Sequence, residues 1–377
     1  MHENQIRKWR MAIAAEAVLC LTAFAGILCS EKPGSSTGSD TVQVEQYMAE
    51  SNEWAREAVS EGYIKWVDFD VSYEALCKAY EWDVNTWGKE VHIDWVEMLA
   101  YLGARYGGNF SGNGKKLSKD MTKLAEQLIE EGCTMEDMTK DMTYYDYYEE
   151  AYRAVLGGMV GEYEIEEEDE SGNKSFTRVY GLKAYSPIAK GFEYSHYADF
   201  GSSRSYGYKR QHLGHDMMGQ VGTPIIAVES GYIEAIGWNQ YGGWRIGIRS
   251  FDGRRYYYYA HMRQNYPYAE GLAEGSVVTA GDVIGYMGHT GYSTKENVNN
   301  IEVTHLHWGM QLIFDESQKE GNNEIWIDVY PLTRFLYKHR SEAVKVEGTR
   351  EWHRVREMKD PAVEAYRESS SLNALLF

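Results

Sequence analysis

Three histidine-bearing segments, set within short runs of alternating residues, constrain this chain more than any other feature. They are His212-Leu213-Gly214-His215-Asp216, Tyr259-Ala260-His261 and His305-Leu306-His307, and the stretch from Gln211 to Gln311 around them holds six of the eleven histidines. The surrounding runs, among them PIIAVESGYIEAIGW, WRIGIRSFDG, RRYYYYAHMR, VVTAGDVIGYMG and THLHWGMQLIF, alternate with period two between Gly, Asn and Asp. That pattern predicts strands of a mostly antiparallel sheet, with Asp252-Gly253 as a hairpin turn. Residues two apart on a strand share a face, so His305 and His307 project into one space. Gly214 lets the backbone bend so that His212 and Asp216 reach one point.

Two imidazoles and a carboxylate form a donor set suited to zinc, with a fourth position left for water. A lone buried His is more often a satisfied core residue, and a lone His-x-His is weak evidence. Their joint occurrence, separated by a β-rich segment that itself carries His261, is much harder to reach by accident.

The rest of the chain narrows the setting. A formal charge of −19 excludes a nucleic-acid binder, which needs a cationic face for phosphates, and argues against charge-driven adhesion to an anionic surface. The 31 Tyr and 11 Trp would allow carbohydrate stacking, but aromatics at this density more often fill cores and cover sheets.

Residues 11–30, MAIAAEAVLCLTAFAGILCS, form the one long apolar run, preceded by Arg7, Lys8 and Arg10. A helix of this length spans roughly 30 Å of hydrocarbon, and its basic flank keeps residues 1–10 in the cytoplasm. A retained transmembrane anchor is preferred to a signal cleaved near Ala23-Phe24-Ala25, because the apolar run continues past that site. Either way the remainder is exported: held at the cell membrane by a single pass, or secreted if the signal is cleaved. Cys20 and Cys29 lie in this run, so Cys77 and Cys133 are no disulfide framework.

Residues 31–42 carry the Pro, Gly and Ser of a linker. Over 43–163, apolar residues recur at three- and four-residue spacing, which predicts a small separate all-α domain of four or five helices. Glu74, Glu97 and the acidic cluster from Glu164 to Glu170 are candidates for a glycosidase-like carboxylate pair, but nothing singles out a pair, and such residues are ordinarily solvated faces. A spacer, wall-binding or partner-binding role is the expectation for this domain. Residues 164–185 read as a hairpin tip or linker, 186–340 as the β domain, and 341–377 as one surface helix and a tail. The expected fold class is thus α+β multidomain: a transmembrane helix, a small all-α domain, then a mostly antiparallel all-β domain.

The histidine segments and their surroundings resemble the lysostaphin/LytM-type zinc endopeptidases of peptidoglycan, whose pattern is HxxxD for two ligands and HxH for a third ligand and a catalytic histidine. The resemblance covers about residues 186–337. It extends to Phe200-Gly201-Ser202-Ser203-Arg204 (FGxR), Gly222-Thr223-Pro224-Ile225 (GTPI), Tyr259-Ala260-His261-Met262 (YxHL), and Ala280 to Gly285 with Thr290-Gly291 (GxxIGxxGxTG). It implies that His212, Asp216 and His307 hold one Zn2+ per chain and that His261 and His305 are the catalytic pair. It further implies a membrane-anchored extracytoplasmic metalloendopeptidase acting on peptidoglycan stems or cross-bridges. The chain departs from the family in the inserted KENVNNIEV (295–303), in Trp308-Gly309 after the last ligand, and in a long DESQKEGNNEIWIDVYP segment; each bears on substrate preference. The rival is a non-enzymatic LytM-like scaffold binding an envelope or sporulation partner. Such a domain should have lost a ligand or catalytic histidine, and this one has lost none.

Overall fold

A computed structural model describes residues 63–111, 114–205, 209–321 and 323–375. The expected cytoplasmic segment, the transmembrane helix at 11–30, the linker at 31–42 and the first part of the helical segment lie outside the described residues. Among the described residues no helix is long and apolar enough to cross a membrane.

Five helices come first: α1 (Tyr73–Thr86), α2 (Trp95–Tyr106), α3 (Gly114–Ile129), α4 (Met135–Thr139) and α5 (Tyr145–Leu156). Their ends follow from local chemistry. Asp94 accepts from the amides of Val96 and Glu97 at 2.8 and 2.9 Å to start α2, and Gly107, at φ 60°, ends it in the left-handed conformation. Most of α2 is buried, including Trp95, Met98, Leu99 and Leu102, so it runs through the core rather than over it.

A hairpin of β1 (Val160–Glu168) and β2 (Lys174–Leu182) follows. The expected linker at 164–185 is therefore largely paired strand. Its glutamates disguised it: in β1 only Tyr163 and Ile165 alternate among them, Lys174 to Arg178 of β2 are exposed, and cross-strand contacts such as Lys174 to Glu166 at 2.9 Å answer the charges. Only the turn, where Asp169 accepts from the amides of Ser171 and Asn173, is unpaired loop.

The remaining strands are β3 (Ser195–His196), β4 (Ser203–Ser205), β5 (Lys209–Gln211), β6 (His215–Met218), β7 (Pro224–Ile226), β8 (Gly231–Asn239), β9 (Gly243–Ser250), β10 (Arg255–Ala260), β11 (Val277–Val278), β12 (Val283–Tyr286), β13 (His305–Leu312) and β14 (Ile325–Trp326). The main sheet has the order β11-β8-β9-β10-β13-β6-β3, with β14 also on β13, and every pair is antiparallel, as the alternation predicted. The hairpin at Asp252-Gly253 joins β9 to β10.

Helix α6 (Tyr330–Leu336) packs back on the helical part, where Phe335 meets the edge of Tyr80 at a centroid distance of 5.6 Å. One continuous core runs from Leu99, Tyr152 and Val155 to Tyr257, Trp308 and Leu312. The separate all-α domain expected over 43–163 is thus not separate in its described part: from Tyr63 onward the chain forms one compact unit. Buried Arg255 reinforces the join, since it pairs with buried Glu229 at 2.8 Å and donates to the carbonyl of Ala154 at the end of α5 at 2.9 Å.

The segment from 341 also differs from the expected helix and tail. It forms β15 (Ala343–Lys345), β16 (Trp352–Arg354) and β17 (Met358–Lys359) before α7 (Pro361–Leu375). Strand β17 borders β1, with Met358 opposite Ile165, and Lys183 pairs with Asp360 at 2.7 Å. β15 and β16 pair with each other, but β17 is created by β1, nearly two hundred positions earlier, so local charge density could not reveal it.

Candidate metal centre and catalytic cleft

Strands β6 and β13 run antiparallel with His307 opposite Asp216 and His305 opposite Met218. Strand alternation puts Asp216, His305 and His307 on one face and buries Leu306, Trp308, His215 and Met217 behind it. His212 lies on the loop just before β6, held by its own backbone: its amide donates to Ser202 at 3.0 Å and its carbonyl accepts from Gly201 at 2.7 Å. Gly214 permits this approach, because a Cβ there would lie 2.5 Å from the His307 ring.

The result is a compact donor cluster. Asp216 Oδ1 is 3.0 Å from His212 Nε2 and 2.9 Å from His307 Nδ1, and these two nitrogens are 3.1 Å apart. Bonds of about 2.0–2.1 Å to a tetrahedral zinc place neighbouring ligand atoms roughly 3.3 Å apart, so the set needs little adjustment to close on such an ion. His212, Asp216 and His307 are the residues among those described whose ligand atoms converge in this way.

The surroundings prepare the set. Asp199 Oδ1 lies 3.1 Å from His212 Nδ1, which holds a proton at that nitrogen and makes Nε2 the one that would give up its proton to a metal. Arg204 donates to Asp216 Oδ2 at 3.1 Å and also pairs with Asp199. Burial acts to raise the Asp216 carboxyl, but the hydrogen bonds from His212 and His307 outweigh it and hold the group well below the usual carboxylate range. Burial likewise opposes protonation of His212, yet its bonds to Asp199 and Asp216 raise it to about 9 without a metal. Burial is the leading influence on His307 and lowers it.

His261 and His305 flank the cluster. His261 follows β10 at φ 63°, a conformation held by its amide bond to Gly242 at 2.7 Å and by the Gly288 amide donating to its carbonyl at 3.0 Å. Its Nδ1 donates to the carbonyl of Thr290 at 3.0 Å, and Nδ1 of His305 to that of Val303 at 2.7 Å. Both rings therefore keep Nε2 for the cleft; that of His305 is 3.7 Å from Asp216 Oδ1, and the two ring centroids are 4.7 Å apart. Burial, then the neighbouring His305 and His307, push His261 well below the ordinary imidazole range.

These five residues line a cleft of about 740 Å³ whose walls include Tyr241, Tyr258 and Tyr292. Part of the inserted loop forms another wall through Ile301, Glu302 and Val303. This loop is anchored rather than loosely draped: Asn297 Oδ1 accepts from Trp244 Nε1 and the Asn265 amide, each at 2.9 Å, and His289 bonds the Ile301 carbonyl at 2.8 Å.

Every residue singled out in the three histidine segments can be placed. His212, Asp216 and His307 converge, His261 and His305 face them, and His215 lies on the opposite face with its Nε2 2.8 Å from His196 Nδ1. Tyr259 is fully buried, and its hydroxyl accepts from the Val228 amide at 3.0 Å. Glu97 belongs to a cluster with Asp94, Arg153 and Glu149 on the helical part, away from the cleft. The sequence alone does not single out Asp199; its place directly before the Phe200-Gly201 motif is the available signal.

Residues 210–325 match the family model described as Peptidase family M23. The chain is 34% identical over 159 residues to an L-Ala--D-Glu endopeptidase of Bacillus subtilis (strain 168), covering 42% of this chain and 45% of that protein. It is 37% identical over 89 residues to lysostaphin of Staphylococcus simulans, covering 23% of this chain and 17% of that protein. It thus spans less than half the length of these curated relatives. A crystal structure of a candidate glycyl-glycine endopeptidase, LytM, from Ruminococcus gnavus ATCC 29149 aligns with 76% of this chain and 95% of its own, at 26% identity and a TM-score of 0.49. With the HxxxD and HxH residues meeting on one sheet face, residues 210–325 are a peptidase family M23 domain, homologous to the L-Ala--D-Glu endopeptidase and to lysostaphin.

Proposed function

We propose that this protein is a zinc metalloendopeptidase that hydrolyses peptide bonds in peptidoglycan stems or cross-bridges. The observation that carries the proposal is the convergence of His212 Nε2, Asp216 Oδ1 and His307 Nδ1 beneath two further imidazoles whose Nδ1 atoms are tied to backbone carbonyls. His212, Asp216 and His307 would hold one Zn2+ per chain. When bound, zinc supplies Lewis acidity and lowers the pKa of water toward about 7.

The chain's own residues do the rest. His261, kept neutral by burial, presents Nε2 as a proton acceptor for the attacking water. His305, whose Nδ1–H is fixed to Val303, offers Nε2 as an acceptor that orients that water, and the proton taken by His261 is the one passed to the departing amine. Tyr258, Tyr292 and the Ile301–Val303 wall enclose the peptide and limit the side chains that fit. The homologous endopeptidases support a peptidoglycan substrate. The apolar run at 11–30 and its basic flank support an extracytoplasmic enzyme held at the membrane.

Zinc content and digestion of purified peptidoglycan by the full chain, with and without chelator, test this. One zinc per chain and chelator-sensitive release of new amino termini are expected, and fragment masses would name the bond. Zinc-free protein that binds a partner without cleaving wall would instead favour the scaffold.

A further inference from the structure

The cleft that holds the donor cluster has a neighbour. A second cleft of about 570 Å³ shares His212, Tyr258 and His307 with it. Arg245, on β9, lines this second cleft, and its Nη1 is buried with no hydrogen-bond partner.

The lining also holds Lys319 and three glutamates, and Oε2 of Glu234 is, like Nη1 of Arg245, buried without a hydrogen bond. Glu234 pairs with Lys319 and lies 3.6 Å from Arg249, while Glu324 accepts from Trp326 Nε1 at 2.7 Å. Glu320 stands exposed in solvent. Arg245 is half-buried, its guanidinium stays charged at any working pH, and a buried donor nitrogen without a partner is costly to keep. Such a group is retained at low cost when a ligand supplies the missing anion.

We propose that Arg245 is the anchor of a substrate subsite, binding a free carboxylate of the peptide beside the His212–Asp216–His307 centre. The inference rests on the peptidase reading above. The guanidinium presents its donors in a planar fork that matches a carboxylate bidentately, giving orientation as well as attraction. A peptide held there passes over Tyr258, the wall common to both clefts, and so reaches His261 and His305. With Lys319 committed to Glu234, and Glu320 and Glu324 repelling further anions, the subsite takes one carboxylate rather than a polyanion. Arg245 is thus a specificity-determining residue that touches substrate away from the scissile bond.

The test uses zinc-loaded full chain and stem-like peptides in which each free carboxylate is exchanged in turn for a carboxamide. For one carboxylate, wild type is expected to lose roughly tenfold or more in kcat/KM on that exchange, as befits a lost charge-assisted bidentate pair. Arg245→Gln is expected to abolish the discrimination while leaving zinc content and melting temperature as in wild type. Arg245→Lys, which keeps charge without the fork, should discriminate weakly. Equal rates of wild type on every peptide of the set, or unchanged discrimination by Arg245→Gln, would overturn the subsite and leave the peptidase standing. Cleavage of none would defeat the peptidase reading. Fluorescence anisotropy of the same labelled peptides then decides the subsite, because binding that ignores both the carboxamide exchange and Arg245→Gln overturns it too.

Discussion

Asp199 Oδ1 stands 3.1 Å from Nδ1 of His212, and this contact decides which nitrogen of that imidazole faces Asp216 and His307. A carboxylate behind a ligating histidine fixes its tautomer, turns its ring and raises its basicity. The carboxylate is itself held by Arg204, which also reaches Asp216, so one cation ties the supporting residue to the ligand.

Removing that support should loosen the metal without deleting a ligand. Asp199→Ala is expected to weaken zinc binding about 10- to 100-fold, read by competition with a chromogenic chelator. Asp199→Asn, which still offers an acceptor oxygen, should lose less. Unaltered affinity in Asp199→Ala would show that the surrounding backbone alone orients His212.

The two histidines of the HxH pair should separate metal from turnover. His307→Ala is expected to lose both zinc and hydrolysis. His305→Ala should keep most of the zinc and lose about 10²- to 10⁴-fold in kcat, the usual contribution of a positioned acid–base group. A His305 variant with normal kcat would remove it from the chemistry.

The junction between helices and sheet depends on a buried charge. Arg255 is 1% exposed and pairs with Glu229, Asp252 and the Ala154 carbonyl. Arg255→Met leaves Glu229 buried and uncompensated, which should cost about 3–5 kcal/mol in urea unfolding. Adding Glu229→Gln should recover part of that loss, because no charge then remains to be desolvated.

His339 should make stability pH-dependent at a distance from the metal centre. Burial lowers it below the ordinary imidazole value, outweighing the opposing hydrogen bond from its Nδ1 to the Ala184 carbonyl. The unfolded chain takes up this proton near pH 6.5 and the folded chain resists it, so stability is full above that pH and falls as pH drops toward the lowered folded value. His339→Gln should be less stable than wild type at pH 8, with the gap in melting temperature closing toward pH 5. A gap that stays constant would show that His339 does not titrate differently on folding.

Much of the β region was legible because its signal is local. Alternation in THLHWGMQLIF alone puts His305 and His307 on one face, and Gly214 between His212 and Asp216 marks a close approach. The β1–β2 ribbon escaped because glutamates crowd the alternating Tyr163 and Ile165, and β17 because its partner β1 lies far away in the chain. Asp199 escaped because a carboxylate before a Phe-Gly step looks like any loop acid until His212 is beside it.

By itself the sequence singled out the histidines and the carboxylate of the candidate site and the strands that hold them, since side-chain type and two-residue periodicity are properties of consecutive positions. Tertiary structure alone decided that His212 and His307, 95 positions apart, meet at 3.1 Å, and that helices and sheet share one core. It also decided that Arg245 faces a cleft with a buried nitrogen unpaired. Register, burial and the pairing of charges arise from contacts between distant segments, and these form only when the chain closes on itself.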